Sequence, residues 1–240
     1  MPKKSKEKID LPDEIIPIEC ADKEGWSEKW DTGRNWLNFP HPTRGVFCGL
    51  PSSGKSTYIK NIIIRTKPHF EEIIVSGFDN ENSKEWDDKL KVKFINGIPD
   101  PKSFNRDKKR LLIIEDLDTS NLKPVDKSNL NRLFGYTSSH CNLSIFLTCQ
   151  NPFDVKPPIR RMANLFVLFK SHDMNSLITL SSRTGIKSKH MVVIMSQLLT
   201  NPHDSLTIDL QRNSPATYRI NGYEKITLSQ LDEMVKEANI

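Results

Sequence analysis

The sequence predicts an α/β domain with a mainly parallel, helix-covered central sheet. Three observations carry that reading. Short apolar runs alternate with polar or amphipathic stretches from Arg44 onward. The runs are continuous rather than alternating, the pattern of strands buried on both faces beneath helices. A glycine-rich loop, "GLPSSGKST" (Gly49–Thr57), stands between the first such run and a helical pattern.

Taken in order, the strand candidates are "RGVFCGL" (44–50), "EIIVSG" (72–77), "KVKFI" (91–95), "RLLIIEDL" (110–117), "LSIFLTCQ" (143–150) and "NLFVLFK" (164–170). The helix after the glycine-rich loop, "KSTYIKNIIIRT" (Lys55–Thr66), carries Ile59, Ile62 and Ile63 on one face. Further helices are expected over about 126–139 and 173–183. Beyond Lys189 come a helix ("HMVVIMSQLLT"), a strand pair ("SLTIDLQR" and "ATYRING") and a terminal helix ("LSQLDEMVKEAN"). The division expected is an N-terminal arm with a basic tail over 1–40, a core over 41–188, and a C-terminal extension of that core over 189–240. The arm is polar and carries Trp26, Trp30 and Trp36, which suit packing on the core or, as the alternative, on a neighbour.

A chain of 240 residues is long enough for one α/β domain with a good core. No apolar run reaches the roughly 18 residues of a membrane-spanning helix. The start, "MPKKSKEKID", is charged and lacks the apolar stretch of a secretory signal. Cys20, Cys48, Cys141 and Cys149 form no C-x-x-C pair, which fits a reducing compartment. Cys48 and Cys149 fall in apolar runs, where a thiol packs as a small hydrophobe. The six histidines show no metal-ligand spacing, and His140 beside Cys141 reads as structural. A net charge of +5 permits a polyanionic partner without demanding one. The basic runs "KSFNRDKKR" (Lys102–Arg110) and "KPPIRR" (Lys156–Arg161) read first as solvated loops, with Lys102–Arg110 the candidate DNA contact.

Gly49, Gly54, Lys55 and Ser56 match G-x-x-x-x-G-K-[ST]. In that pattern glycines let successive backbone N–H groups point at phosphate oxygens. Leu50, Pro51, Ser52, Ser53 and Thr57 complete the expected ATP-binding loop. Lys55 is placed to reach the β- and γ-phosphates, and the Ser56 hydroxyl to ligate Mg²⁺. The following helix turns its positive end to the anion.

A Mg²⁺–nucleotide site also needs acid at the end of a neighbouring strand, and "LLIIEDLD" supplies Glu115 and Asp116. By position Glu115 is the metal-side acid, and Asp116 the base that orients or deprotonates the attacking water. "SIFLTCQNPF" ends its apolar run in polar groups, and Gln150 is the candidate to report on the γ-phosphate. There is no N-K-x-D base-recognition motif, which argues against a small GTPase. Arg160 and Arg161 follow "NPFDVKPP", whose prolines argue against a continuous helix, and sit just before a buried strand.

The order "FCGLPSSGKST", "RLLIIEDLD", "FLTCQNPF", "IRRMANLFVLFK" resembles the viral genome-packaging ATPases of the FtsK–HerA superfamily, the pox-type group of giant viruses, virophages and polinton-like elements. The resemblance covers about Arg44 to Lys187. It implies a P-loop NTPase fold of the RecA-like, FtsK–HerA type and ATP hydrolysis with Mg²⁺. It implies a homo-oligomeric ring, pentameric or hexameric, that moves double-stranded DNA into a preformed capsid and docks on a capsid or vertex protein. It implies an intracellular location, at the viral assembly site in the host cell and in the virion. It further implies that Arg160 or Arg161 acts as an arginine finger toward a neighbouring subunit. One departure is the first acid, usually aspartate in such motors and here Glu115. The alternatives are a cellular or plasmid DNA motor of the same superfamily, a P-loop small-molecule kinase, and a non-catalytic nucleotide-dependent assembly factor. A kinase needs an arginine-rich lid, and Ser171–Lys187 offers only Arg183. Intact acids beside an intact loop argue against the last.

Overall fold

A computed structural model describes Leu37, Phe39, 41–77, Trp86, 90–117, Thr119, 122–170, Ile178, 180–181, 183–211, Ser214 and 216–238. Trp26, Trp30, Trp36 and Cys20 lie outside the described residues, as does most of the expected arm. Leu37 and Phe39, at the arm's end, are buried.

The strands are β1 (Arg44–Cys48), β2 (Glu72–Gly77), β3 (Lys93–Asn96), β4 (Arg110–Ile114), β5 (Leu143–Cys149), β6 (Leu165–Phe169), β7 (Ser205–Asp209), β8 (Tyr218–Ile220) and β9 (Glu224–Ile226). Among the described residues they form one sheet in the order β3-β2-β4-β5-β1-β6-β7-β8-β9. The strands from β3 to β6 are parallel, and β7, β8 and β9 continue the sheet antiparallel. The expected parallel, helix-covered sheet is therefore present, with an antiparallel edge.

Every residue of β4, β5 and β6 is buried, which is why these runs read as continuously apolar. Alternation along β4 sends Leu111 and Ile113 to one face and Leu112 and Ile114 to the other. Helix α1 (Lys55–Arg65) covers the first face through Tyr58, Ile59, Ile62 and Ile63. On the second face lie α2 (Pro124–Arg132), α3 (Pro157–Met162), α4 (Ser188–Val193) and α5 (Leu228–Glu237), which bury Leu130, Ile159, Met191 and Leu231 there. Of the expected helix over 173–183, Ile178, Leu180, Ser181 and Arg183 are described and helical.

Local reasons set the bounds of several elements. The strand expected over 110–117 stops at Ile114, because Asp116 takes a left-handed backbone (φ 42°) that no strand continues. As expected, no continuous helix runs through the segment before Arg160: a short turn at Pro152–Asp154 is followed by extended Val155 and Lys156, and the helix holding the arginines begins at the prolines. Pro157 and Pro158 open α3, where the first-turn N–H groups would have no intrahelical partner in any case. Helices α2 and α4 each run on into a wider π turn, at Leu133–Thr137 and Ile194–Leu198.

The antiparallel edge supports α1. The Tyr58 hydroxyl is 2.5 Å from Thr207 Oγ1 on β7. Gly222, in the turn between β8 and β9, passes so close that a Cβ there would lie 2.3 Å from the Tyr58 hydroxyl. Burial pushes the Tyr58 phenol well above its ordinary pKa, so it stays protonated and available as a donor.

Candidate functional site

The parallel strands β1, β5 and β4 are neighbours, and the segments leaving their carboxyl ends meet at one edge of the sheet. The chain crosses from β1 to β2 past β5 and β4, so this edge is a point where strand order reverses, the usual ligand position in open α/β sheets.

The loop after β1 is fixed at both ends. The Gly49 N–H donates to the Cys149 carbonyl (3.1 Å), and the Ser53 N–H to the Leu50 carbonyl (3.2 Å). A Cβ at Gly49 would lie 2.6 Å from Ser53 Oγ and 2.7 Å from Phe169 Cβ, so only glycine fits. Ser52 (φ 60°) and Gly54 (φ 103°) turn the backbone left-handed into α1. Gly54 stands at the N-cap of α1 and brings no side chain to cap it, which leaves the positive end of the helix facing the loop.

Lys55 is only 8% exposed. Its ammonium donates to the carbonyls of Gly49 (2.7 Å) and Leu50 (3.1 Å) and lies 3.9 Å from Asp116 Oδ1. The Ser53 hydroxyl is buried in the loop with no hydrogen-bond partner among the described residues. A cradle closed to any Cβ, an orphaned hydroxyl, a buried cation and a helix that begins at a glycine with no side-chain cap together fit a phosphate chain. Among the described residues no three His, Cys, Asp or Glu gather as a metal site. A Mg²⁺ held mainly by nucleotide phosphates and water needs only one or two side chains, and Ser56 with one acid meets that need.

The two acids part company. Glu115 is 7% exposed, its N–H continues the ladder onto the Ser76 carbonyl (2.9 Å), and its Oε1 accepts from the Trp86 indole N–H (3.0 Å). Asp116 is turned out by its left-handed backbone, with a side chain 52% exposed beside Lys55. Thr148 builds that turn: its Oγ1 accepts from the Asp116 N–H (2.9 Å), and its carbonyl from the Leu117 N–H (3.0 Å). Gln150 follows β5 and is exposed, while its carbonyl accepts from the Cys48 thiol (3.6 Å).

The structure thus brings together the loop, Glu115, Asp116 and Gln150. It does not bring Arg160 and Arg161 to them. Helix α3 delivers the chain to the amino end of β6, where the Asn164 N–H meets the carbonyl of Arg44, the first residue of β1. The arginines therefore stand at the opposite end of the strands from Gly49. Arg161 is exposed; Arg160 is partly buried, and burial together with nearby Arg183 lowers its guanidinium pKa.

Much of the basic run over 102–110 is engaged within the fold. Arg110 pairs with Glu72 (2.6 Å) and Asp107 (2.7 Å). Lys109 donates to the Pro68 carbonyl, and Arg106 to that of His140.

Sequence reasoning did not assign roles to three neighbours of the site. Trp86 comes from the segment between β2 and β3, Phe169 ends β6 beneath Gly49, and His203 places Nδ1 3.4 Å from the Ser53 carbonyl. Phe169 ends an apolar run legible as a strand, but nothing local places it under the loop. Nothing local marks Trp86 or His203, whose neighbours are 29 and 150 residues away along the chain.

A glycine-turned anion loop leading into the first helix, with acids at the end of a parallel strand one position removed, defines the P-loop NTPase fold. No protein-family model matches the chain, and no curated protein matches it significantly in sequence. Among solved structures it is similar to B204, the DNA-packaging ATPase from Sulfolobus turreted icosahedral virus, at 20% identity and a TM-score of 0.55, covering 79% of this chain and 100% of that one. B204 from Sulfolobus turreted icosahedral virus 2 in complex with ATP-γS is similar at 20% identity and a TM-score of 0.52, covering 78% and 100%. The pCW3 conjugation coupling protein TcpA is similar at 13% identity and a TM-score of 0.51, covering 82% of this chain and 65% of TcpA. At these identities the likeness is one of fold.

Proposed function

We propose that the chain is an ATPase of the FtsK–HerA superfamily that drives double-stranded DNA into a preformed viral capsid, working as a homo-oligomeric ring. The observation that carries the reading is the phosphate loop closed around Lys55, with Asp116 beside it and Glu115 on the adjoining face. The likeness in fold to the packaging ATPase B204 supports the viral role.

In this reading Lys55 leaves the Gly49 and Leu50 carbonyls for the β- and γ-phosphate oxygens of ATP. The Ser56 hydroxyl and the Glu115 carboxylate hold Mg²⁺, which when bound neutralises charge on the phosphates. Asp116, exposed at the loop, accepts the proton of the attacking water. Gln150 orients that water and responds to loss of the γ-phosphate. Arg160 or Arg161, distant from the loop of its own subunit, serves the site of a neighbour.

A second reading, a plasmid DNA-transfer motor, is supported by the likeness to TcpA. One experiment tests the common core: ATP turnover with and without duplex DNA, beside the mass of the particle in solution. Stimulation by DNA of a ring-sized particle is expected. Turnover indifferent to DNA but raised by a small acceptor metabolite overturns the motor for a kinase. Binding to empty capsids then separates packaging from plasmid transfer.

A further inference from the structure

We propose that Trp86 is a positioning residue for the Glu115 carboxylate, setting the geometry through which this site holds its metal ion. The proposal rests on Glu115 being the metal-side acid. Alternation along β4 carries Glu115 to the face of Leu111 and Ile113, the face that α1 covers and where Trp86 is buried. Trp86 is 4% exposed, and its indole N–H donates to Glu115 Oε1 at 3.0 Å. An indole N–H is a donor only, so this bond can be made only to an acceptor oxygen and fixes which oxygen faces the ring. A buried bond to a charged acceptor is among the stronger kinds.

The opposite influence on the ring comes from α1. Lys60 sets its ammonium over the Trp86 ring, 5.7 Å from the centroid. The indole is thereby held between the phosphate-loop helix and the strand-end acid. This accounts for a glutamate at the first acidic position. Glutamate has one more rotatable bond than aspartate, and a bond at its carboxylate restores the lost definition. Outer partners that orient a metal-binding side chain are worth about 10–100-fold in metal affinity or activity.

The test is a double-mutant cycle. Trp86→Phe keeps an aromatic ring and deletes the donor. Its turnover is expected to fall about 10–100-fold, with more Mg²⁺ needed for half-maximal rate and Mg²⁺-free ATP binding unchanged. On a Glu115→Gln background the same substitution should add little, because its effect passes through the carboxylate. A full additional loss on that background, or wild-type Mg²⁺ dependence in Trp86→Phe, overturns the proposal. If Trp86→Phe does not fold, the assigned Trp86 indole N–H resonance decides: it should move in Glu115→Gln, and an unmoved resonance overturns the proposal. Wild-type protein without Mg²⁺-dependent ATP turnover overturns the nucleotide site itself, a result distinct from an altered Trp86 variant.

Discussion

Gly49 and Lys55 occupy the same loop and answer to different constraints. At Gly49 the constraint is steric, since a Cβ would enter the space of Ser53 Oγ at 2.6 Å and Phe169 Cβ at 2.7 Å. Gly49→Ala should therefore push the loop off Phe169, costing about 1–3 kcal/mol of stability by overpacking and weakening ATP binding with it. Thermal unfolding and equilibrium ATP binding check the two effects together. At Lys55 the constraint is charge. Its side chain lies against two loop carbonyls rather than in the core. Lys55→Ala should leave the melting temperature nearly unchanged while abolishing ATP hydrolysis and most ATP affinity. Retained turnover in that variant would remove the phosphate-loop reading.

At the scale of elements, the end of β4 separates two adjacent carboxylates. The ladder carries Glu115 inward to Trp86, and the left-handed turn built on Thr148 carries Asp116 outward to Lys55. In the proposed mechanism Asp116→Asn keeps ATP binding and loses turnover, since an amide holds water but accepts no proton. Glu115→Gln should weaken the Mg²⁺-dependent part of binding. ATP binding measured with and without Mg²⁺ distinguishes this from the reverse assignment. The β7–β8 pair raises a different issue. Arg219 and Asp209 are both buried and joined at 2.7 Å, with Ser214 bonded to the same carboxylate oxygen at 2.8 Å. Asp209→Ala takes a counter-charge from a buried guanidinium and should cost about 3–5 kcal/mol, read by denaturant unfolding. Because β7 meets α1 through Thr207 and Tyr58, the loss should also lower ATP affinity.

For the whole molecule, position separates the loop from Arg160 and Arg161. They stand at opposite ends of the parallel strands, so an arginine acting on the γ-phosphate would have to act between subunits. A guanidinium suits that task because it stays charged and forks onto phosphate oxygens. Alanine at Arg160 or Arg161 should leave ATP binding intact and reduce turnover severely. Mixing that protein with Lys55→Ala protein should restore part of the rate, since some interfaces then hold both intact groups. Confirmed mixed rings without recovery would leave these arginines to DNA or to solvent. DNA binding by a motor should also ignore sequence and weaken steeply between about 50 and 200 mM salt. With Arg106, Lys109 and Arg110 engaged within the fold, Lys102 and Lys108 are the cations of that run to substitute first.

The sequence by itself determined what depends on near neighbours. Continuous apolar runs declared a buried parallel sheet because both faces of the central strands β4, β5 and β6 are covered, whereas the edge strand β3 is largely exposed. The phosphate loop was legible because its glycines, lysine and serine act within one turn of backbone, and Glu115 and Asp116 because they end an apolar run. Only the tertiary structure decided how those acids divide. Their directions depend on a Thr148 hydroxyl from β5 and an indole from the segment before β3, and neither partner is encoded near them. The same holds for the support of α1 by Thr207 and for Arg160 and Arg161 standing away from the loop. Local pattern fixes which residues form strands and turns. The order of strands in the sheet fixes which side chains meet, and that order is set by packing of the whole chain.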